Sequence, residues 1–323
     1  MTLTRFPNGV SSFGLPVIGG RITSTGRAFF VNSNIGSNSY NGRDKDHPKD
    51  TIANALTVAT SERGDVIYVM PGHAETLATT IACAVQKSGI KLIGLGHGAN
   101  RPQITIQSAG DISVESDNFT MENFLLVGGA TAATAGIRVA GKHCALRGIE
   151  WRETTPTLCG SNIIDVTSDG SGFSLNGFKF FATTGTTNAT PIITLKASST
   201  NTERMEINNV AIHVHEQRTA GAGIIHCDSS SPPTAIMMKD VIVVHSGAST
   251  EGMPFVWGTT TTTLATGMAE NVYAGNWTDA DQAALYGSST LPDQMAVAFY
   301  NCLSANLPCE AGTIMGMTCA TTA

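Results

Sequence analysis

From about residue 64 onward the chain is built of short apolar runs, each broken within a few positions by glycine, proline or asparagine. GDVIYVMPGHAETL and GIKLIGLGHGANRPQITI open this pattern, and their β-branched residues between turn-formers predict strands. Later segments share one form, an apolar strand entered through a residue that tolerates a tight bend: MENFLL, LRGIEW, LNGFKF, INNVAI, MKDVIV, AENVYA and FYNCLS. The bend residues are Asn123, Gly148, Gly177, Asn209, Asp240, Asn271 and Asn301, separated by 25, 29, 32, 31, 31 and 30 positions. A second column, Ile137, Ile164, Ile193, Ile225, Val256, Leu285 and Ile314, advances by 27, 29, 32, 31, 29 and 29. Two columns with one period near thirty, carried by strands, predict a solenoid whose coils stack strand on strand. The expected fold is all-β, a right-handed parallel β-helix of about eight coils and roughly 40 Å at the usual strand spacing of about 4.8 Å.

Period-two alternation assigns the core. Phe124 and Leu126, Ile149 and Trp151, Phe178 and Phe180, Val210 and Ile212, and Val241 and Val243 share the inward face, because neighbours two apart point the same way. Asn, Asp and Gly at the bends suit left-handed backbone, and stacked asparagines can bond from rung to rung.

The first part of the chain departs from this period. Residues 1 to 27 are rich in Gly, Pro and Ser and predict an extended arm that does not fold alone, followed by a single β-helix domain over 28–323. Asp50 stands where an N-cap belongs before TIANALTVATS, whose Ile52, Leu56 and Ala59 recur at helical spacing. A capping helix near 51–61 is expected to cover the N-terminal edge of the rod, an edge that would otherwise recruit another strand.

Composition narrows the function classes. Only 14% of the 323 residues are charged, against 34 glycines, which suits turn-rich β architecture. A net charge of −6 without a block of like charge gives no footprint for nucleic acid or an anionic membrane. No run approaches the roughly 18 to 20 apolar residues of a membrane span, and MTLTRFPNGVSSFG has no basic region followed by an apolar one, so synthesis in soluble form without a signal peptide is expected. Seven scattered cysteines with no CxxC pair predict small buried hydrophobes, not a disulfide framework or a zinc site. The sequons at Asn118, Asn188 and Asn276 are expected by chance in a Thr-rich chain.

Candidate chemistry is sparse. GLGHGAN at 94–100 resembles a dinucleotide loop, but the strand-like RPQITI follows where the phosphate site needs a helix. Outward neighbours of the second column, Arg138, Asp165, Thr194, His226 and Trp257, would place ionisable and aromatic groups along one face, where a glycosidase keeps its sugar platform and carboxylates. Only one carboxylate falls there and the hydrolytic chemistry needs two; Glu150, Asp169 and Asp228 lie elsewhere on the coils. His213, His215 and Glu216 lack a further fixed ligand for a metal. No catalytic residue, metal or cofactor is therefore assigned. More informative are Leu125, Val127, Phe181, Ile242, Val244 and Leu303, apolar at outward positions, which imply a partner surface. In the arm, Phe6, Phe13, Leu15 and Val17 are the candidate docking residues.

The run from the short helix through GDVIYVMPGHAETL to IKLIGLG and RPQITI resembles the opening of pectate-lyase-like parallel β-helix proteins. The likeness is specific over about 50–106 and continues through repeat spacing alone. That superfamily includes lyases, hydrolases, tailspikes and non-enzymatic virion proteins, so the resemblance implies fold more than activity. It implies a virion location and a parallel homotrimer bound to the major capsid protein, as in capsid decoration (cement) proteins. The alternative it implies is a tailspike or tail fibre that binds or cleaves host polysaccharide.

Overall fold

The computed structural model describes residues 26–78, 83–107, 110–128, 135–153, 162–167, 169–181, 191–196, 204–214, 224–227, 233, 235–245, 255–256, 266–276 and 297–306, with three short strands before them. Those three, Ser11–Ser12, Leu15–Ile18 and Arg21–Ile22, pair antiparallel in sequence order. The expected arm thus carries a small meander, and its Leu15 and Val17 lie on the middle strand. Phe6 and Phe13 lie outside the described residues.

From Ala28 onward every strand-to-strand pairing is parallel, and strands in the same place on successive turns pair with each other. The chain is a parallel β-solenoid. Each turn has three faces. The first begins with Ala28–Val31 and Val66–Val69 and climbs through Lys91–Gly94, Thr120–Glu122, Ala145–Arg147 and Ser174–Asn176. The second runs from Ala74–Leu77 through Gln103–Ile106, Leu125–Gly128 and Glu150–Glu153 to Lys179–Phe181. The third is the seven-stranded ladder from Cys83–Val85 to Phe255–Val256.

Among the described residues, five turns have three separate strands, against the eight coils expected. Beyond them the first two faces fuse into the ten-residue strands Met205–Val214, Ile236–His245 and Gly267–Asn276. Rung pairing there continues on both sides of the bend residue, so two strands become one bent strand.

The bend column itself is as expected. Asn123, Asn209, Asp240, Asn271 and Asn301 have φ between 49° and 64°, and Gly148 and Gly177 have φ of 59° and 73°. Left-handed backbone turns the chain through the corner in a single residue, and Asn, Asp and Gly adopt it at least cost. The side chains also stack: Asn271 Nδ2 donates to Asp240 Oδ1 at 2.9 Å, and Asn301 Nδ2 to Asn271 Oδ1 at 2.7 Å. A second left-handed column, Glu62, Gly89, Asn118, His143 and Gly172, turns the chain from the third face into the next coil. Here Glu62, Gly89, Asn118 and His143 donate their backbone N–H to the carbonyls of Ser88, Asp117, Lys142 and Ser171, one turn further on.

The core is continuous and apolar. All ten side chains assigned inward by alternation are buried, with Trp151 and Phe180 fully so. Ile112, Ile137, Ile164, Ile193 and Ile225 pair directly over one another on the third face and are essentially solvent-free. The next member of this column is Phe255, not Val256, because Ile225 pairs with Phe255 and His226 with Val256. The segments between faces vary in length, so a count of positions along the chain slips by one there. Leu285 and Ile314 lie outside the described residues.

The capping helix spans Ile52–Val58, shorter than expected, and its N-cap is Thr51, not Asp50. Thr51 Oγ1 accepts from Asn54 N at 3.3 Å and from Asn54 Nδ2 at 2.7 Å, whereas Asp50 sits one residue too early to reach the first turn. Ile52, Ala55 and Leu56 bury the apolar stripe against the first turns. Glu75 Oε2 takes the free Ile52 N–H at 2.9 Å and meets His73 Nε2 at 3.3 Å, while His73 Nδ1 accepts from Ser33 N at 3.0 Å. His73 therefore carries its proton on Nε2, and one neutral imidazole ties helix, loop and coil together.

Candidate functional site

Three surfaces carry the candidate residues. On the third face, Arg138, Asp165, Thr194 and His226 occupy successive rungs of one column, with Thr194 buried and the other three half-buried. Val256 takes the next place, so Trp257 is not in that column, and it lies outside the described residues. Arg138 Nη2 donates to Ser113 Oγ at 3.1 Å and lies 3.9 Å from Glu115 Oε1. Asp165 Oδ1 pairs with Lys196 Nζ at 3.6 Å. Both ion pairs cross from one rung to the next, and Asp165 is the one carboxylate within the column among the described residues.

On the second face, outward positions change character along the axis. One column reads Gln103, Leu125, Glu150, Lys179, Ala211, Ile242, Tyr273 and Leu303, and its neighbour reads Thr105, Val127, Arg152, Phe181, His213, Val244 and Gly275. Early turns are charged and later turns apolar. Phe181 is 48% exposed, Ile242 50% and Leu303 44%, with Val244 and Tyr273 half-buried. Leu125 and Val127 do not belong to this surface. Their parity is outward as expected, yet both are buried, between rungs that carry Gln103 and Thr105 on one side and Glu150 and Arg152 on the other. Alternation gives the direction of a side chain, and the surrounding turns decide whether water reaches it.

The third surface takes its shoulder from GLGHGAN at 94–100, the segment that resembles a dinucleotide loop in sequence. At the corner between the first and second faces, Asn123 Nδ2 donates to the carbonyls of Gly94 at 2.8 Å and Gly96 at 2.9 Å. The next two rungs have Gly148 and Gly177, and the corner backbone continues unbroken through Gly148 N to Asn176 O at 2.8 Å and Gly177 N to Asn208 O at 3.1 Å. The missing side chains leave a cleft of about 320 Å³ lined by His97, Arg101, Asn123, Glu150 and Lys179. Residues 95–102, including the 3₁₀ turn Gly98–Asn100, form its shoulder.

Charge in the cleft is organised around Glu150. Arg101 Nη2 meets Glu150 Oε2 at 2.5 Å, Arg152 Nε meets Oε1 at 2.6 Å, and Arg101 Nε also donates to Gly98 O at 3.0 Å. Burial pushes the Glu150 carboxyl up, but hydrogen bonds from Arg101 and then Arg152 outweigh it and hold the group below the ordinary glutamate range. Lys179 pairs with Glu150 across one rung and is exposed, and its backbone N–H donates to Ile149 O at 2.9 Å. The available sequence signal was the pair of glycines interrupting a column of asparagines; the charged residues around it come from three separate coils.

No family model matches the chain, and no curated protein matches it. Among solved structures it is similar to a rhamnogalacturonan lyase, with 11% identity over 86% of this chain and 87% of that one and a TM-score of 0.37. It is also similar to the pectin methylesterase from Aspergillus niger in deglycosylated form, with 11% identity over 90% of each chain and a TM-score of 0.39. Likeness at this level says nothing of chemistry. The solenoid architecture rests on the strand registers above.

His213 lies between Phe181 and Val244 on the second face, and His215 and Glu216 lie outside the described residues.

Proposed function

We propose that this protein is a structural component of a virus particle, a homotrimeric capsid decoration protein that reinforces a head by bridging major capsid protein subunits. The observation that carries the reading is the exposure of the apolar side chains Phe181, Ile242 and Leu303 on one face of the parallel ladder. Parallel stacking sets them along the axis on that face, so three copies side by side about a threefold axis bring the same surface together. Apolar groups held at a sheet surface gain about 25 cal/mol for each Å² removed from water, which favours association over exposure. Attachment to the shell is assigned to the N-terminal segment, where Phe6, Phe13, Leu15 and Val17 supply apolar contacts and free strand edges supply main-chain ones. Several modest contacts per trimer add through effective concentration and oppose outward pressure on the shell.

Sedimentation equilibrium at micromolar concentration tests the reading. Three times the 33.7 kDa chain mass is expected. A single-chain mass removes the trimer, and unchanged capsid occupancy after deletion of residues 1–20 removes the docking role.

A second reading rests on the assembled third-face column of Arg138, Asp165, Thr194 and His226, which would suit a tailspike that binds or cleaves host polysaccharide. Reducing-sugar release lost in Asp165→Asn would select it.

A further inference from the structure

We propose that Asn41 is a site of spontaneous covalent modification, in which the Gly42 nitrogen closes on the Asn41 side-chain amide and the chain reopens as isoaspartate, releasing the loop that covers the edge of the first strand. The proposal is independent of how the chains associate, since Asn41 lies in the loop before the capping helix.

The sequence holds three Asn–Gly pairs, Asn8–Gly9, Asn41–Gly42 and Asn176–Gly177. The first lies outside the described residues, and the fold treats the other two in opposite ways. Ring closure requires the glycine nitrogen to turn toward the asparagine Cγ, and glycine leaves that approach open because it has no Cβ. At the later pair this nitrogen is engaged. Gly177 N donates to Asn208 O at 3.1 Å, Asn176 O accepts from Gly148 N at 2.8 Å, and Asn176 belongs to a strand paired on both sides. Turning that peptide would break the ladder on both sides of it.

At the earlier pair nothing opposes the turn. Asn41 is exposed, and neither Gly42 N nor Asn41 Nδ2 has a hydrogen bond among the described residues. Asn41 Oδ1 accepts from Arg43 N at 2.9 Å, which folds the side chain over the Gly42 peptide and makes Cγ more electrophilic. The glycine itself is required by the fold. Its φ is 72°, and a Cβ there would meet Lys49 Cγ at 2.9 Å.

In the reaction Gly42 N bonds to Asn41 Cγ and gives up its proton, the Cγ–Nδ2 bond breaks, and ammonia departs, leaving a cyclic imide. Water then adds to one of the two imide carbonyls. Opening at Cγ gives aspartate, and opening at the Asn41 backbone carbonyl gives isoaspartate, whose chain runs through Cβ and Cγ and so gains a methylene. That extra atom falls beside the Gly42 peptide, whose carbonyl accepts from Phe30 N at 2.6 Å. This bond, with Lys49 N to Phe30 O at 2.8 Å and Asn32 N to Lys49 O at 2.9 Å, covers the outer edge of Ala28–Val31, an edge otherwise open to another strand. Conversion unpins one end of the cover.

Peptide mapping by mass spectrometry after incubation of the full chain in mildly alkaline buffer tests the assignment, with the urea-unfolded chain as reference. Asn41 should gain the mass that marks –OH in place of –NH2 and take methyl label from an isoaspartate methyltransferase, at a rate within about threefold of the unfolded chain, while Asn176 should be slowed at least about tenfold by folding. The Phe30 amide should lose hydrogen-exchange protection in the isoaspartate form and keep it through the same incubation in Asn41→Gln, whose side chain would have to close a larger ring. No conversion of Asn41 in the folded chain, conversion of Asn176 at the same rate, or a Phe30 amide still protected in the isoaspartate form would each overturn the proposal.

Discussion

At the scale of single residues, Asp65 is a fully buried carboxylate near the start of the repeat. It accepts from Arg27 N and Thr60 N, both at 2.8 Å, and from Arg63 Nε at 2.6 Å and Nη2 at 2.5 Å. Burial raises its pKa, but the hydrogen bond from Arg63 and those from the two backbone amides lower it further, and the net displacement is downward. A carboxyl with a lower pKa folded than unfolded stabilises in full above the unfolded value of about 3.9, and this contribution fades as pH falls through the folded value. Asp65→Asn should therefore cost about 2–4 kcal/mol at pH 7 by urea unfolding, and the loss relative to the parent should shrink below about pH 4. The cysteines give a second test. Burial pushes the Cys144 thiol up to about 11 and raises Cys227 further, and Cys144, Cys227 and Cys302 are all free and buried. A thiol reagent at pH 8 should leave these three unmodified in the folded protein and label them after denaturation, read by mass spectrometry of the peptides.

At the scale of elements, the corner column was legible because its requirement is narrow. A one-residue turn with positive φ admits few residue types, so Asn, Gly and Asp recur at a countable spacing. The second corner column was less legible, because Glu62 and His143 interrupt Gly89, Asn118 and Gly172. The glycines and the asparagine suit left-handed backbone, whereas at Glu62 the register of the neighbouring turns imposes it. The side-chain ladder should be worth a measurable amount. Asn271 bonds Asp240 below and Asn301 above, so Asn271→Ala loses both bonds and places alanine in left-handed backbone. A loss of about 1–3 kcal/mol in denaturant unfolding is expected, and Asn271→Gly should recover part of it because only the bonds are lost.

At the scale of the whole molecule, stacking converts a periodic sequence into continuous surfaces of distinct character. The second face passes from Glu150, Arg152 and Lys179 to Phe181, Ile242 and Leu303, and this division separates the charged corner cleft from the proposed chain-to-chain contact. Ile242→Glu would set a charge among these apolar side chains while leaving the core side chains Val241 and Val243 untouched. Circular dichroism should be unchanged and the proposed trimer should fall to single chains at micromolar concentration, measured by light scattering. Retention of the trimer would move the contact to another face.

Period and alternation alone determined the class of fold, the inward rows from Phe124 to Val243 and the bend residues, because each is a local demand repeated on every turn. The tertiary structure decided the rest. It set the register of Phe255 over Ile225, which depends on how segments of unequal length close each turn. It buried Leu125 and Val127 despite outward parity, because solvent access depends on the surrounding turns and not on a strand's own alternation. It assembled His97, Arg101, Asn123, Glu150 and Lys179 around two absent side chains, a cleft that exists only once separate turns are stacked.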